Sequence, residues 1–74
     1  MIIQVSCFAT LSRYAPRDGC LEVPEKATPG LVLDHLEIPR EEVKIVFVTG
    51  QNAGLYASLK EHDRVGIFPA IGGG

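Results

Sequence analysis

The chain has 74 residues, 46% of them hydrophobic and 22% charged, with a formal net charge of −2. That length holds a single domain near the lower limit of independent stability, and the composition excludes the low-hydrophobicity, high-charge signature of disorder. The mildly acidic balance, with no run of Lys or Arg, argues against a nucleic-acid partner held by counterion release.

The first apolar run, Ile2–Ala9, is rich in β-branched residues and predicts a strand in which Ile3, Val5 and Cys7 alternate with Ile2, Gln4, Ser6 and Phe8. Ser12–Gly19 contains the turn formers Pro16, Asp18 and Gly19. Cys20–Val23 then closes an N-terminal hairpin. The segment "ATPGLVLDHLEI" is the helix candidate, with Thr28 as N-cap and Pro29 at the first helical position. Val32, Leu33 and Leu36 fall on one face, and Pro39 stops the helix at Ile38. Gly30 costs about 1 kcal/mol of helix propensity relative to alanine, so the helix relies on packing against a sheet.

"EVKIVFVTG" predicts a third strand, apolar in both phases, as in a strand covered on both sides or central in its sheet. Gly50, Asn52 and Gly54 read as a turn, "LYASL" as a short strand or irregular crossing, "KEHD" as another turn, and "RVGIF" as the last strand. The order β-β-α-β-(β)-β implies an α+β fold, a mixed four- to five-stranded sheet with one main helix across a face. This is the outline of the ubiquitin-like β-grasp. The expected organisation is one domain over residues 1–74, with residues 69–74 as a flexible C-terminal tail.

The tail, "FPAIGGG", raises a chemical possibility. A terminal carboxylate is activated by conversion to a mixed anhydride with AMP and then attacked by a sulfur or amine nucleophile. Glycines suit such an end because, lacking Cβ, they let the backbone approach nucleotide and catalytic groups closely. Six extended residues from Pro69 to Gly74 span about 20 Å at roughly 3.3–3.6 Å each. Burial of Phe68 and Ile71 in a partner returns about 1.5–3 kcal/mol each, against an ordering cost of about 1–2 kcal/mol per tail residue. A glycine run alone is a weak motif; its place after a β-grasp order and an apolar anchor gives it meaning.

In "FPAIGGG", "VSCFATLSRYA", "IPREEVKIVFVTG" and "LKEHDRVGIFP" the chain resembles the MoaD-type small subunits of molybdopterin synthase, within the wider MoaD–ThiS sulfur-carrier family. Thr49 stands where that family usually has asparagine, and His62 where glycine is common. The resemblance implies a non-catalytic carrier subunit that binds no cofactor of its own. A ubiquitin-activating-like adenylyltransferase would use ATP to adenylate the Gly74 carboxylate, and a sulfur donor would convert the adenylate to a thiocarboxylate. The molybdopterin synthase large subunit would then receive the tail for dithiolene formation. Gly74 is the reacting residue; Gly73 and Gly72 give clearance; Phe68, Pro69, Ala70 and Ile71 guide and anchor. The F-P and F-A pairs favour the molybdopterin branch over the thiamine branch. Alternatives are a sulfur carrier for thiazole or sulfur-amino-acid synthesis, a ubiquitin-like modifier forming isopeptide bonds to lysines, and an interaction module with an inert tail.

Other residues point to ordinary roles. Cys7, Cys20, His35 and His62 lack the close ligand pairs of a metal site, so no metal is expected. Asp34 with Glu37, and Glu41 with Glu42, read as solvated carboxylates; Tyr14 and Tyr56 fit either a binding face or the rim of the core. The opening "MIIQVSCF" has no basic n-region or cleavage site, and the longest strongly apolar stretch, Ile45–Val48, is far short of the ~20 residues of a membrane span. A cytoplasmic location off the membrane is therefore expected, with both cysteines as free thiols.

Overall fold

The computed structural model describes residues 1–70; the expectations for Ile71, Gly72, Gly73 and Gly74 lie outside them. Five strands, β1 (Ile2–Cys7), β2 (Cys20–Glu22), β3 (Val43–Val48), β4 (Gln51–Ala53) and β5 (Arg64–Pro69), form one mixed sheet in the order β2-β1-β5-β3-β4. A single α-helix, α1 (Pro29–His35), crosses one face. β1 and β5 run parallel, and the other neighbouring pairs are antiparallel.

Alternation along the strands separates the two faces. In β1 the residues are exposed and buried by turns, with Ile3, Val5 and Cys7 facing α1. Val65 and Ile67 of β5 and Val46 of β3 complete that side, meeting Val32, Leu33 and Ile38. Leu33 is fully buried, worth about 1.5–3 kcal/mol relative to exposure. Among the described residues, no second layer covers the opposite face. Ile2, Gln4, Ser6, Arg64, Gly66, Phe68, Ile45 and Phe47 occupy its phase, as the register pairs Gln4↔Arg64, Ser6↔Gly66, Phe47↔Gly66 and Ile45↔Phe68 require.

Four elements differ in extent from the sequence expectation. β1 ends at Cys7 rather than Ala9, because Ala9 sits at φ +52° and turns the chain into a 3₁₀ helix, Ala9–Tyr14, anchored by buried Leu11. α1 begins as expected, with Thr28 Oγ1 accepting from Leu31 N at 3.2 Å, but ends at His35 rather than Ile38. The stop is a Schellman motif, formed before Pro39 is reached. Ile38 N–H donates to Leu33 O at 2.9 Å, Glu37 N–H donates to Asp34 O at 3.1 Å, and Glu37 takes φ +60°.

The fourth strand is Gln51–Ala53, expected as a turn, and Leu55–Leu59 is the irregular crossing. Thr49 and Gly50 form the two-residue loop between β3 and β4, at φ +49° and +85°, the signs of a type I′ turn. Finally, β5 continues through Pro69, which is buried and pairs with Val43. The boundary drawn at Pro69 thus falls inside the sheet. β3 owes its two-phase apolarity to partial cover of Phe47 and Ile45 on the open face, and the central strand is β5.

Candidate functional site

The open face concentrates its aromatic surface beside the end of β5. Phe8 follows β1, its N–H donating to Ile67 O at 3.1 Å, which places the ring alongside Phe68. The two rings stack with centroids 4.3 Å apart and planes 6° from parallel. Phe47 meets Phe68 edge-on, at 5.6 Å and 86°. These are the offset and T-shaped geometries that aromatic quadrupoles prefer.

Gly66 forms the floor of the cluster. A Cβ there would lie 3.5 Å from Phe68 Cε1 and 3.5 Å from Phe8 Cε2, ordinary contact distances, so its absence leaves a shallow notch between the rings. The surrounding groove, about 300 Å³, is lined by Ser6, Phe8, Phe47, Arg64, Gly66 and Phe68 among others. Phe8 remains 42% exposed. Exposed aromatic surface of this kind, rimmed by polar residues, is a candidate interaction site.

A charged rim lies close to where the chain leaves the sheet. Arg13 Nη2 donates to Tyr14 Oη at 3.2 Å and its guanidinium lies 5.0 Å from the Tyr14 ring centre. That hydrogen bond, with a smaller contribution from the Glu42 carboxylate, holds the guanidinium above its ordinary pKa. Ala70 N–H donates to Glu42 O at 3.2 Å.

Of the expected site residues, Phe68 is part of the aromatic cluster, Pro69 is buried as the last residue of β5, and Ala70 is exposed. Ile71, Gly72, Gly73 and Gly74 lie outside the described residues. Phe8, Phe47 and Gly66 were not anticipated as site residues, although strand alternation alone places all three in the phase opposite the core. Cys7 and Cys20 are free and lie on neighbouring strands, but on opposite faces. Cys20 pairs with Gln4 on the open side, while Cys7 is buried. Burial pushes the Cys7 thiol pKa up. Among the described residues, no three His, Cys, Asp or Glu side chains gather where they could hold a metal ion, and no helix is long and apolar enough to cross a membrane.

Residues 5–74 match the sequence model of the ThiS family. The chain belongs to the ThiS family. No curated protein matches it in sequence. Solved structures resemble this ThiS-family chain over nearly its whole length. Small archaeal modifier protein 1 of Haloferax volcanii superposes with a TM-score of 0.74 at 22% identity, each chain covered in full. A protein of Pyrococcus furiosus assigned as molybdopterin converting factor, subunit 1, gives 0.77 at 23% identity, over 96% of this chain and 99% of its own. The Haloferax volcanii HVO 2177 protein gives 0.76 at 26% identity, over 100% of this chain and 87% of its own. The shared fold is the ubiquitin-like β-grasp, in agreement with the ThiS-family match over residues 5–74.

Proposed function

We propose that this chain carries sulfur on its C-terminal glycine and delivers it to molybdopterin synthesis, as the small subunit of a molybdopterin synthase. In a ubiquitin-activating-like adenylyltransferase, the Gly74 carboxylate attacks the α-phosphate of ATP and expels pyrophosphate. A sulfide-level nucleophile from a sulfur donor then displaces AMP, leaving a thiocarboxylate. In the large subunit, the thiocarboxylate sulfur attacks a cyclic pterin monophosphate precursor. Water cleaves the resulting acyl–sulfur bond, so the sulfur stays on the pterin and the carrier departs as the carboxylate. ATP is consumed by the partner, and the carrier holds no cofactor.

The observation that carries this reading is the position of β5. As the central strand, it runs past the stacked Phe8–Phe68 pair and out of the sheet, so a docking face and the tail root are one continuous surface. Phe68 anchors that surface; Pro69 and Ala70 aim the chain from the end of the central strand; Ile71, Gly72 and Gly73 lead into the partner. Likeness to the Pyrococcus furiosus subunit supports a large-subunit partner.

A second reading, a protein modifier joined to lysines through the same activated carboxylate, draws support from the full-length likeness to small archaeal modifier protein 1. One experiment distinguishes them. The chain is incubated with ATP, an activating enzyme and a sulfur donor, and its intact mass is taken. Exchange of one oxygen for sulfur supports the carrier, and adducts on lysines of other proteins support the modifier. An unchanged mass with a competent activating enzyme sinks both. Deleting Gly74, or replacing Gly73 with a bulky residue, is expected to abolish the exchange while the melting temperature stays unchanged.

A further inference from the structure

Among the described residues, Lys44 alone in β3 lacks a ladder partner on either side. β5 pairs Val43 with Pro69 and Ile45 with Phe68, so two steps along β3 meet one along β5, and Lys44 is the extra residue of a bulge. β4 has already ended by then, its last pair being Val46↔Ala53. Bulges re-aim side chains and gather beside functional sites. Lys44 is exposed and has no ion-pair partner among the described residues. A second cation is set nearby. Arg40 opens the 3₁₀ turn Arg40–Glu42 ahead of β3, and its Nη2 donates to Asp34 Oδ2 at 3.1 Å and to Gly30 O at 3.4 Å. Gly30 N–H in turn donates to Leu55 O at 2.9 Å. A Cβ on Gly30 would lie 3.1 Å from both Arg40 Nη2 and Leu55 O, so glycine lets the guanidinium, the helix start and the Leu55 carbonyl meet. These bonds use Nη2 alone and leave the donors of Nη1 and Nε to a ligand.

Arg40 and Lys44 line one cavity of about 240 Å³, together with Val46, Ala53, Gly54 and Leu55 among others, and no carboxylate lines it. The groove beside Met1, by contrast, mixes Lys26 and Lys60 with Glu25 and Glu61. Two cations around one cavity repel each other unless an anion sits between them; Asp34 offsets part of this from outside. We infer that the cavity is a binding site for a small phosphate monoester. Arg40 supplies a planar fork and Lys44 a point charge, the two forms in which side chains hold phosphate. A tetrahedral phosphate offers oxygens to both cations at once, whereas a carboxylate is matched by the guanidinium fork alone. Val46, Ala53 and Leu55 give the organic part of the ester an apolar wall. The cavity shares no lining residue with the aromatic groove, so an ester here and a partner on the Phe8–Phe68 rings can be bound together.

Amide chemical-shift titration of the full chain tests this, with glycerol 3-phosphate, inorganic phosphate and acetate as probes at fixed ionic strength. Saturable shifts at the amides of Lys44, Gly54 and Leu55 are expected with glycerol 3-phosphate, and none with acetate. Lys44→Gln and Arg40→Gln each weaken the binding at least about fivefold, the scale of a hydrogen bond to a charged group. Lys60→Gln, outside the cavity, stays within about twofold of wild type. Lys44→Gln changes an exposed side chain and decides the matter if Arg40→Gln fails to fold. The site is overturned by the absence of saturable shifts at those three amides, or by acetate matching the ester. Equal losses in Lys44→Gln and Lys60→Gln overturn it as well, since they show diffuse charge attraction alone. Binding of inorganic phosphate without binding of the ester overturns the ester as ligand.

Discussion

Phe8 and Phe68 stand near opposite ends of the sequence, yet their rings stack at 4.3 Å, 6° from parallel, on a sheet face that no second layer covers among the described residues. A stacked pair contributes about 0.5–1.5 kcal/mol beyond its buried area. Half-exposed rings gain only part of the burial available in a core. The arrangement therefore spends aromatic surface on presentation as much as on stability.

Phe8→Ala is expected to lower stability by about 1 kcal/mol, with a coupling to Phe68→Ala of about 0.5–1.5 kcal/mol in a double-mutant cycle. If the proposed synthase large subunit is the partner, binding to it, measured by calorimetry, is expected to weaken at least about tenfold, because aromatic anchors dominate interface energies. Full retention of affinity in both single variants would show that the partner docks elsewhere.

Glu37 caps α1 at φ +60° with an exposed side chain. A non-glycine residue in this region costs about 1–2 kcal/mol, partly offset by the greater entropy glycine brings to the unfolded chain. Glu37→Gly is expected to stabilise the domain by about 0.5–1 kcal/mol, raising the melting temperature by roughly 2–8 °C in a domain of this size. Calorimetric scans of the two proteins check the sign.

Thr49 is β-branched and sits at φ +49°. Its hydroxyl donates to Asp63 Oδ1 at 2.7 Å and accepts from Arg64 N at 3.3 Å. Those bonds hold a conformation the side chain itself disfavours. Thr49→Val keeps the shape and strain but removes the bonds, and is expected to cost about 1–2 kcal/mol in urea denaturation. A change within about 0.3 kcal/mol would mean that solvent replaces them.

The two thiols are expected to differ sharply. Cys20 is exposed and reacts with a thiol reagent in the native state, whereas buried Cys7 reacts only on unfolding. Burial raises the native Cys7 pKa above its ordinary 9.0. The unfolded thiol therefore loses its proton first as pH rises. This contribution to stability is intact below pH 9 and declines above it. Cys7→Ser or Cys7→Ala should flatten that part of the stability profile.

Strand alternation in β1, the Thr28–Pro29 helix start and the β-grasp order could all be read from the sequence, because they rest on local signals. β4 could not. Its type I′ turn uses Thr49-Gly50, whereas the usual marker for that turn is Asn-Gly or Asp-Gly. The end of α1 was similarly masked, since Glu37 occupies a position that glycine normally advertises. The aromatic cluster was hidden for another reason: residues 8, 47 and 68 meet only through the β1-β5-β3 order, which is a property of the whole fold.

That strand order also governs when the domain can exist. β5 supplies both the parallel ladder to β1 and the antiparallel ladder to β3, so among the described residues the two halves of the sheet share no ladder until β5 joins them. Pairings of such long sequence separation give a high contact order and slow, late closure. A chain still missing residues 64–69 has no centre to its sheet and nothing on which to finish its core. Topology thus ties closure of the sheet to the arrival of β5, the strand that leads towards the proposed reactive glycine.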